Sequence, residues 1–543
     1  MKKVLIIGSG IAGLTCAIEC AQRGMKVTLV SPFPSERAQS VLAAGGINAV
    51  LDNKNGDSIA SHIEDTLKGG CSIAGRDAVK GLCEDAPDII RWLERIGTVF
   101  TTDAEGRISQ RAFGGQSFNR TCYCGSSTGK QIVTALIMEA RRLEGKGLID
   151  RRIGLDFYSA LIRDEKCHGA LLFNRQTGRI EAVTADITVA ATGGMNSLFR
   201  MSTGSSLCDG YVAGKLFTQG VELKNLEFIQ YHPTTIITGQ KRMLISEAAR
   251  GEGGRLYYEE NGSRVYFMED RFGERGNLMP RDVVSRCIDE TGRDVFLDVS
   301  FLGRERILQR IPEVYELCRK YRGIDISRQS IPVCPSVHFF MGGIAVDNGH
   351  ETRIKDLYAI GECASIYHGA NRLGGNSLLA AIHGARAAAA SMEKRANSGA
   401  GYDPSQEMLS AKEELEALEK SQSTFPVMYI RDLLAATLQE DLGISRNASR
   451  LEKGLEDVSY YLSIAEKIRF DSSEPAYLRY SLKPILTLAK AVLLCAESRK
   501  ESRGAHLRSD FPETKEDQAV PTVISHNKGS YDIYMDREGR YES

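Results

Sequence analysis

Between residues 368 and 378 the chain reads His-Gly-Ala-Asn-Arg-Leu-Gly-Gly-Asn-Ser-Leu, a guanidinium, two amides and three glycines within eleven positions. An apolar run from Leu357 to Gly361, closed by Glu362, precedes it, and an Ala-rich helical run follows from Leu378. A turn that feeds a helix start presents unpaired backbone N–H groups and the positive end of the helix dipole. Arg372 adds a planar two-donor fork that matches a carboxylate. Glycines let a bound group come close to the backbone. The segment therefore reads as a cradle for an anion or a cofactor. A second cradle, Gly8-Ser9-Gly10-Ile11-Ala12-Gly13, sits between the apolar run from Lys3 and a helix through Arg23, with a strand at 26–30 beyond. Strand, glycine turn, helix and strand in that order form the context a dinucleotide site requires. Ser31, rather than an acid, follows the second strand, and its hydroxyl can still bond a ribose. No second GxGxxG occurs in the sequence, so a single dinucleotide that stays bound, as a flavin does, is expected.

The elements that must position these cradles are legible in outline. Residues 185–194 form a further buried strand ending in a Gly pair, and Cys208-Asp209-Gly210 opens a helix. From about 220 to 336 the segments are shorter and more polar, which marks an inserted unit. The run 357–361 returns to the first fold. A Gly/Ser/Pro-containing link spans about 397–406, residues 407–505 carry Leu, Ile and Val at helical spacing, and 507–543 read as an extended or docking tail. At 543 residues the chain holds two to four domains of ordinary size. A net charge of −1 offers no general attraction for nucleic acid or anionic membrane. No run approaches the roughly 18 uncharged apolar residues of a membrane span, and Met1-Lys2-Lys3 leads too quickly into a short strand to be a signal peptide. A cytoplasmic protein is expected, any membrane association coming through partner subunits. The 13 cysteines include no Cys-x-x-Cys pair, which argues for free thiols and against an internal iron–sulfur cluster or structural zinc. No metal site is assigned.

In chain order, Gly8 to Gly13, Ala43-Ala44-Gly45-Gly46, Ala191-Thr192-Gly193-Gly194, Gln230-Tyr231-His232-Pro233, Glu247 to Gly253, Pro280-Arg281-Asp282, His338 to Gly343, His368 to Arg372 and Glu501 to His506 resemble one flavoprotein family, that of fumarate reductase, succinate dehydrogenase and L-aspartate oxidase. The resemblance covers essentially the whole chain. It implies an α/β fold with a Rossmann-like FAD-binding domain at 1–222 and 336–400. An inserted α+β capping domain would occupy 223–335, a helical bundle 405–506 and a tail 507–543. The residues implied to meet FAD are Gly8, Ser9, Gly10, Ile11, Ala12, Gly13, Ser31, Ala44, Gly45, Gly46, Ala191, Thr192, Gly193, Asp209, Glu362, Arg372, Ser377 and Leu378. A C4 dicarboxylate would lie against Phe113, His232, Ser246, Glu247, His338 and Arg372, with Arg281 as proton donor and Glu247 and Arg250 as the relay behind it. Fumarate reduction adds a hydride from FAD N5 to one alkene carbon and a proton to the other. Clustered His and Arg donors stabilise the charge that develops. Arginine has a free pKa of about 12.5–13.8, yet a carbanion is a far stronger base, so a relay lets Arg281 act. His62, His168, His350, His383 and His526 are given no chemistry, His506 a structural role, and Cys208 and Cys363 the role of small apolar fillers.

Two departures bear on the subtype. Family members in membrane complexes usually carry a covalent FAD link at a His six residues before the Gly pair, and that position here is Gln39. An amide cannot form the link, so FAD is expected to be non-covalent, which leans toward fumarate reduction or aspartate oxidation. Aspartate oxidases resemble this chain at Ser61 to Leu67, but carry a Glu before the Gly-Gly of the substrate loop. Here that position is Phe113, followed by Gly114 and Gly115. An apolar ring cannot pair with an ammonium and can pack on flat fumarate. Fumarate reduction is the leading reading. L-aspartate oxidation to iminoaspartate is the alternative, and an electron-transfer subunit with a vestigial site the third. Electrons would come from an iron–sulfur subunit or another donor.

Overall fold

Val4, Leu5, Ile6 and Ile7 are buried on both faces of their strand, the pattern of a central parallel strand. The structure, a computed structural model, describes residues 1–52, 56–125, 127–239, 241–395, 401–419, 426–467 and 474–541. Strand Lys3–Ile7 is flanked by Lys26–Ser31 and Ile187–Ala190, with Ile149–Ile153 and Leu357–Ala359 outermost, and every pairing is parallel. Helices Ile11–Gln22, Thr128–Glu144 and Asn376–Lys394 cover this sheet through an apolar core. A chain that leaves the sheet after residue 190 and returns at 357 must insert a unit. That unit is a six-stranded sheet ordered 241–244, 229–238, 331–340, 295–298, 255–260, 263–265, all antiparallel, with a core of its own. Strand Ile331–Phe340 runs across position 335, where the sequence places the return to the first unit.

Helices Ser405–Glu419, Val427–Asp441, Ala448–Lys467 and Ala476–Ser498 follow. Of the link expected at 397–406, residues 397–400 lie outside the described residues. The region from 507 onward is not simply extended. Thr522–Asn527 and Ser530–Met535 form a hairpin whose first strand pairs with Leu223–Lys224, burying Val523 and Ile524 completely. Its turn uses positive φ at Lys528 (47°) and Gly529 (91°), as a tight two-residue hairpin demands. The charge of the region hides this, because the fully buried residues are few, Thr522 to Ile524 in the first strand.

Candidate functional site

The cofactor side of the site is made largely of backbone. Gly8 has φ 109°, and a methyl there would stand 2.2 Å from Ala191 O, while one on Gly13 would stand 1.9 Å from Gly8 O. Only glycine lets the first strand, the first helix and the strand ending at Ala190 meet so closely. Helix Ile11–Gln22 begins at Gly10, which has no side chain to cap it; Ile11 N donates to Ser40 Oγ at 3.3 Å, and the N–H groups of Ala12 and Gly13 are left for an anion. One continuous cleft is lined by Gly8 to Ala12, Ser31, Ala44 to Gly46, Ala191 to Gly193, Asp209, Glu362, Ser377 and Leu378, and also by Phe113, Arg281, His338 and Arg372. Gly13 lies beneath its wall. The residues present fit a dinucleotide that reaches from a ribose-binding hydroxyl to a cluster of cations. Ser31 Oγ donates to Phe33 O at 2.7 Å, which leaves its lone pairs to accept from a ribose hydroxyl. Asp209 accepts from Tyr211 N (3.1 Å), Tyr477 OH (2.7 Å) and Arg431, so helices of the C-terminal third brace this wall. Burial pushes the Glu362 carboxyl up to about 7. Gln39 also lines the cleft, its Oε1 accepting from Ser205 N.

The substrate side is made of charge. Arg281 opens helix Arg281–Thr291, whose N-terminus aims it at the cleft, and donates from Nε (3.0 Å) and Nη2 (2.7 Å) to Glu247 Oε2. Glu247 Oε1 accepts from Gly114 N at 2.9 Å and lies 3.2 Å from Arg250 Nη2. Arg250 Nη1 donates to Asn277 O at 2.6 Å. Arg281 and Glu247 are thus hydrogen-bonded and Arg250 stands at ion-pair distance behind them, a buried series of three charges. Arg372 Nη2 donates to Gln230 Oε1 at 2.9 Å, and its Nε has no partner among the described residues. His232 and His338 stand edge to face with ring centroids 5.2 Å apart. His338 Nδ1 contacts Thr203 Oγ1 at 2.8 Å, whereas His232 Nε2 has no partner among the described residues. The Phe113 ring packs between Gly45 and Gly374, where an added methyl would stand 3.1 or 3.2 Å from it. Of the expected substrate residues, His232, Ser246 and Glu247 lie behind the cleft wall rather than in its lining, as does Arg250 of the relay.

Electrostatics follow from this packing. Burial alone would raise Glu247, but the charges of Arg281 and Arg250 outweigh it and hold the carboxyl at about 2. Burial, then the charge of Arg281, pushes Arg372, His232 and His338 well below their ordinary values. Both imidazoles are therefore neutral hydrogen-bonding groups. Burial pushes the Cys208 thiol up to about 12 and raises Cys363 as well, so neither is a nucleophile. His506 is buried against Arg446 Nη1 (2.7 Å) and Arg499 O (3.2 Å), outside the lining of the cleft.

Reasoning from motifs missed Gln230 and Thr203. Gln230 stands two residues before His232 in the quoted Gln-Tyr-His-Pro run, and its Oε1 accepts from both Arg281 Nη1 (3.2 Å) and Arg372. That position was a usable signal. Thr203, in a polar loop, offered none.

Known proteins resemble this chain over nearly its whole length. A family profile described as the FAD binding domain matches residues 3–378, and one described as the fumarate reductase flavoprotein C-terminal region matches 431–537. A succinate dehydrogenase flavoprotein subunit of Bacillus subtilis is 34% identical over 558 residues, covering 98% of this chain and 95% of the relative. An L-aspartate oxidase of Pseudomonas aeruginosa is 33% identical over 527 residues, covering 94% and 95%. The solved structure of a quinol fumarate reductase from E. coli superimposes with a TM-score of 0.90 at 28% identity, covering 98% of this chain and 97% of that one. No helix among the described residues is long and apolar enough to cross a membrane.

Proposed function

This chain belongs to the succinate dehydrogenase and fumarate reductase flavoprotein family and is an FAD-dependent oxidoreductase, and from that premise we propose that it reduces fumarate to succinate. The observation that carries the reading is one of charge. Three buried guanidiniums, Arg250, Arg281 and Arg372, gather against the carboxylate of Glu247 and the carboxyl of Glu362, which burial holds up at about 7, so positive charges are in excess at that end of the cleft. A dicarboxylate brings two negative ones. Aspartate adds an ammonium to the same two carboxylates, and the neighbouring Phe113 ring cannot pair with it. Leaving that ammonium unpaired costs about 1–3 kcal/mol.

FAD bound in the cleft supplies the hydride. The chain itself does the rest. Arg372 anchors one carboxylate, and the neutral His338 hydrogen-bonds the other end of the substrate, with the neutral His232 ring packed behind it. Phe113 covers the flat backbone and excludes water. Arg281 gives a proton to the alkene carbon that does not receive the hydride. Arg250 and Glu247 return a proton to Arg281 along their contacts of 3.2 and 2.7 Å. The FAD is held without a covalent bond, since Gln39 stands where a linking imidazole would be needed. Electrons reach the flavin from outside the chain, through an iron–sulfur subunit or another docked donor. Anaerobic mixing of the holoprotein with reduced viologen and fumarate tests the reading. Fumarate-dependent reoxidation, with no bleaching of the oxidised protein by L-aspartate, is expected. Bleaching by aspartate without fumarate turnover would sink it.

A further inference from the structure

The two guanidiniums that frame the substrate come from different units, Arg281 from the inserted unit and Arg372 from the turn before helix Asn376–Lys394. Like charges so placed drift apart unless something holds their spacing. Their sequence neighbours supply the restraint. Asp282, one residue after Arg281, accepts from Asn371 Nδ2 at 2.8 Å, and Asn371 immediately precedes Arg372. Gln230 Nε2 donates to Asn371 Oδ1 (2.7 Å) and to Arg372 O (2.8 Å), while its Oε1 accepts from both guanidiniums. Asp282, Asn371, Gln230 and the two arginines therefore close a ring of hydrogen bonds across the boundary between units. The Gln230 amide spends both donors and its carbonyl within that ring. Asn371 is 4% exposed and its side chain bridges the two partners. Asp282 also lines a surface hollow with Tyr231, Ser285, Arg286 and Arg503, so its far side faces open space rather than packed core.

We propose that Asp282 and Asn371 are positioning residues, a latch that sets the separation of the proton donor on the inserted unit from the carboxylate anchor on the cofactor unit. The proposal rests on the roles given above to Arg281 and Arg372. Neither residue touches substrate. Each acts through its neighbour, and a misplacement of about an ångström between reacting groups can cost about a hundredfold in rate.

The experiment uses the FAD-loaded protein with fumarate and reduced viologen. Asn371→Asp keeps the acceptor for Gln230 but sets two carboxylates face to face. It should lower kcat at least about tenfold, with little change in KM and none in FAD content or in flavin reoxidation by ferricyanide. Adding Asp282→Asn reverses donor and acceptor, remakes the bond, and should restore most of kcat. Should Asn371→Asp lose FAD, Asp282→Ala, which truncates toward the hollow, reads the same bond from the other side and should show the same fall. Wild-type kcat in the single variant, or no recovery in the exchanged pair, overturns the latch. If the wild-type protein turns over no dicarboxylate at all, the functional reading fails instead. Amide hydrogen exchange across helix 281–291 of the FAD-loaded protein then decides the latch. Faster exchange in Asn371→Asp, slowed again by Asp282→Asn, supports it, and unchanged exchange rejects it.

Discussion

The two halves of the cleft are built on opposite principles. The cofactor half relies on glycines, helix starts and backbone N–H groups. The substrate half buries arginines, a glutamate and neutral histidines gathered from distant segments. Backbone donors recognise a phosphate in any flavoprotein, so they specify the cofactor and little else. Buried side-chain charge is costly unless matched, so it states what must arrive. Sequence identity over the whole chain cannot substitute for that statement. A succinate dehydrogenase subunit at 34% and an L-aspartate oxidase at 33% stand almost equally close.

The contrast is most directly broken at Arg281. Replacing it with Lys keeps the charge but loses the fork that grips Glu247, and should lower fumarate reduction about a thousandfold, within the usual reach of general acid catalysis. FAD should remain bound. Turnover near the wild-type rate, measured by viologen oxidation, would show that the acid lies elsewhere.

Acidification probes the buried neutral groups next. Burial pushes His62 and His350 down to about 4, His368 to about 3, and His232 and His506 well below their ordinary value. The unfolded chain takes up protons at these positions below about 6.5, and the folded chain does not, so stability present above that pH is lost as pH falls. The loss reaches about 1.3 kcal/mol per histidine by pH 5.5. Glu247, held at about 2, keeps its charge throughout this range. Glu362, raised to about 7, opposes this by protonating in the folded state over the same range, but one such group is outweighed by five histidines. The melting midpoint of the holoprotein should therefore fall from pH 7.5 to 5.5, and a flat profile would contradict the assignment.

Phe113→Glu addresses selectivity. It should raise the ratio of aspartate to fumarate turnover about tenfold, the lower part of what one unpaired buried ammonium is worth. An unchanged ratio would move the discrimination to another residue. The smallest effect concerns attachment rather than rate. Acid precipitation should leave a colourless pellet and all the flavin in the supernatant, and a yellow pellet would place a covalent link that Gln39 cannot make.

What was legible in the sequence follows the same division. Gly8 to Gly13 and His368 to Leu378 are contiguous, and a contiguous motif carries its local geometry with it. The parallel sheet and the inserted unit were readable because apolar strand runs recur on either side of 220–336. Gln230 as the shared acceptor of two arginines was not readable, since the pairing spans 142 positions to Arg372. Nor was the bracing of Asp209 by Tyr477, 268 positions away. Such contacts depend on how units dock, which no local period reports. The hairpin at 522–535 was missed for a different reason. It lies in a charged, polar region with only a short buried run, Thr522 to Ile524, and its Lys528-Gly529 turn lacks the Asn-Gly pair that usually announces one.

The pairing of that hairpin with Leu223–Lys224 also joins segments about three hundred residues apart. The strand it joins leaves the ribosome about three hundred residues earlier, yet its sheet stays incomplete until residue 524 has emerged, and the Asp209 wall of the cleft waits for Tyr477. Pairings of such long range are the slow step of folding. The Asp209 wall of the cleft is therefore fully braced only in a nearly whole chain, and a fragment ending before Arg431 would lack both the guanidinium and the phenol that hold it.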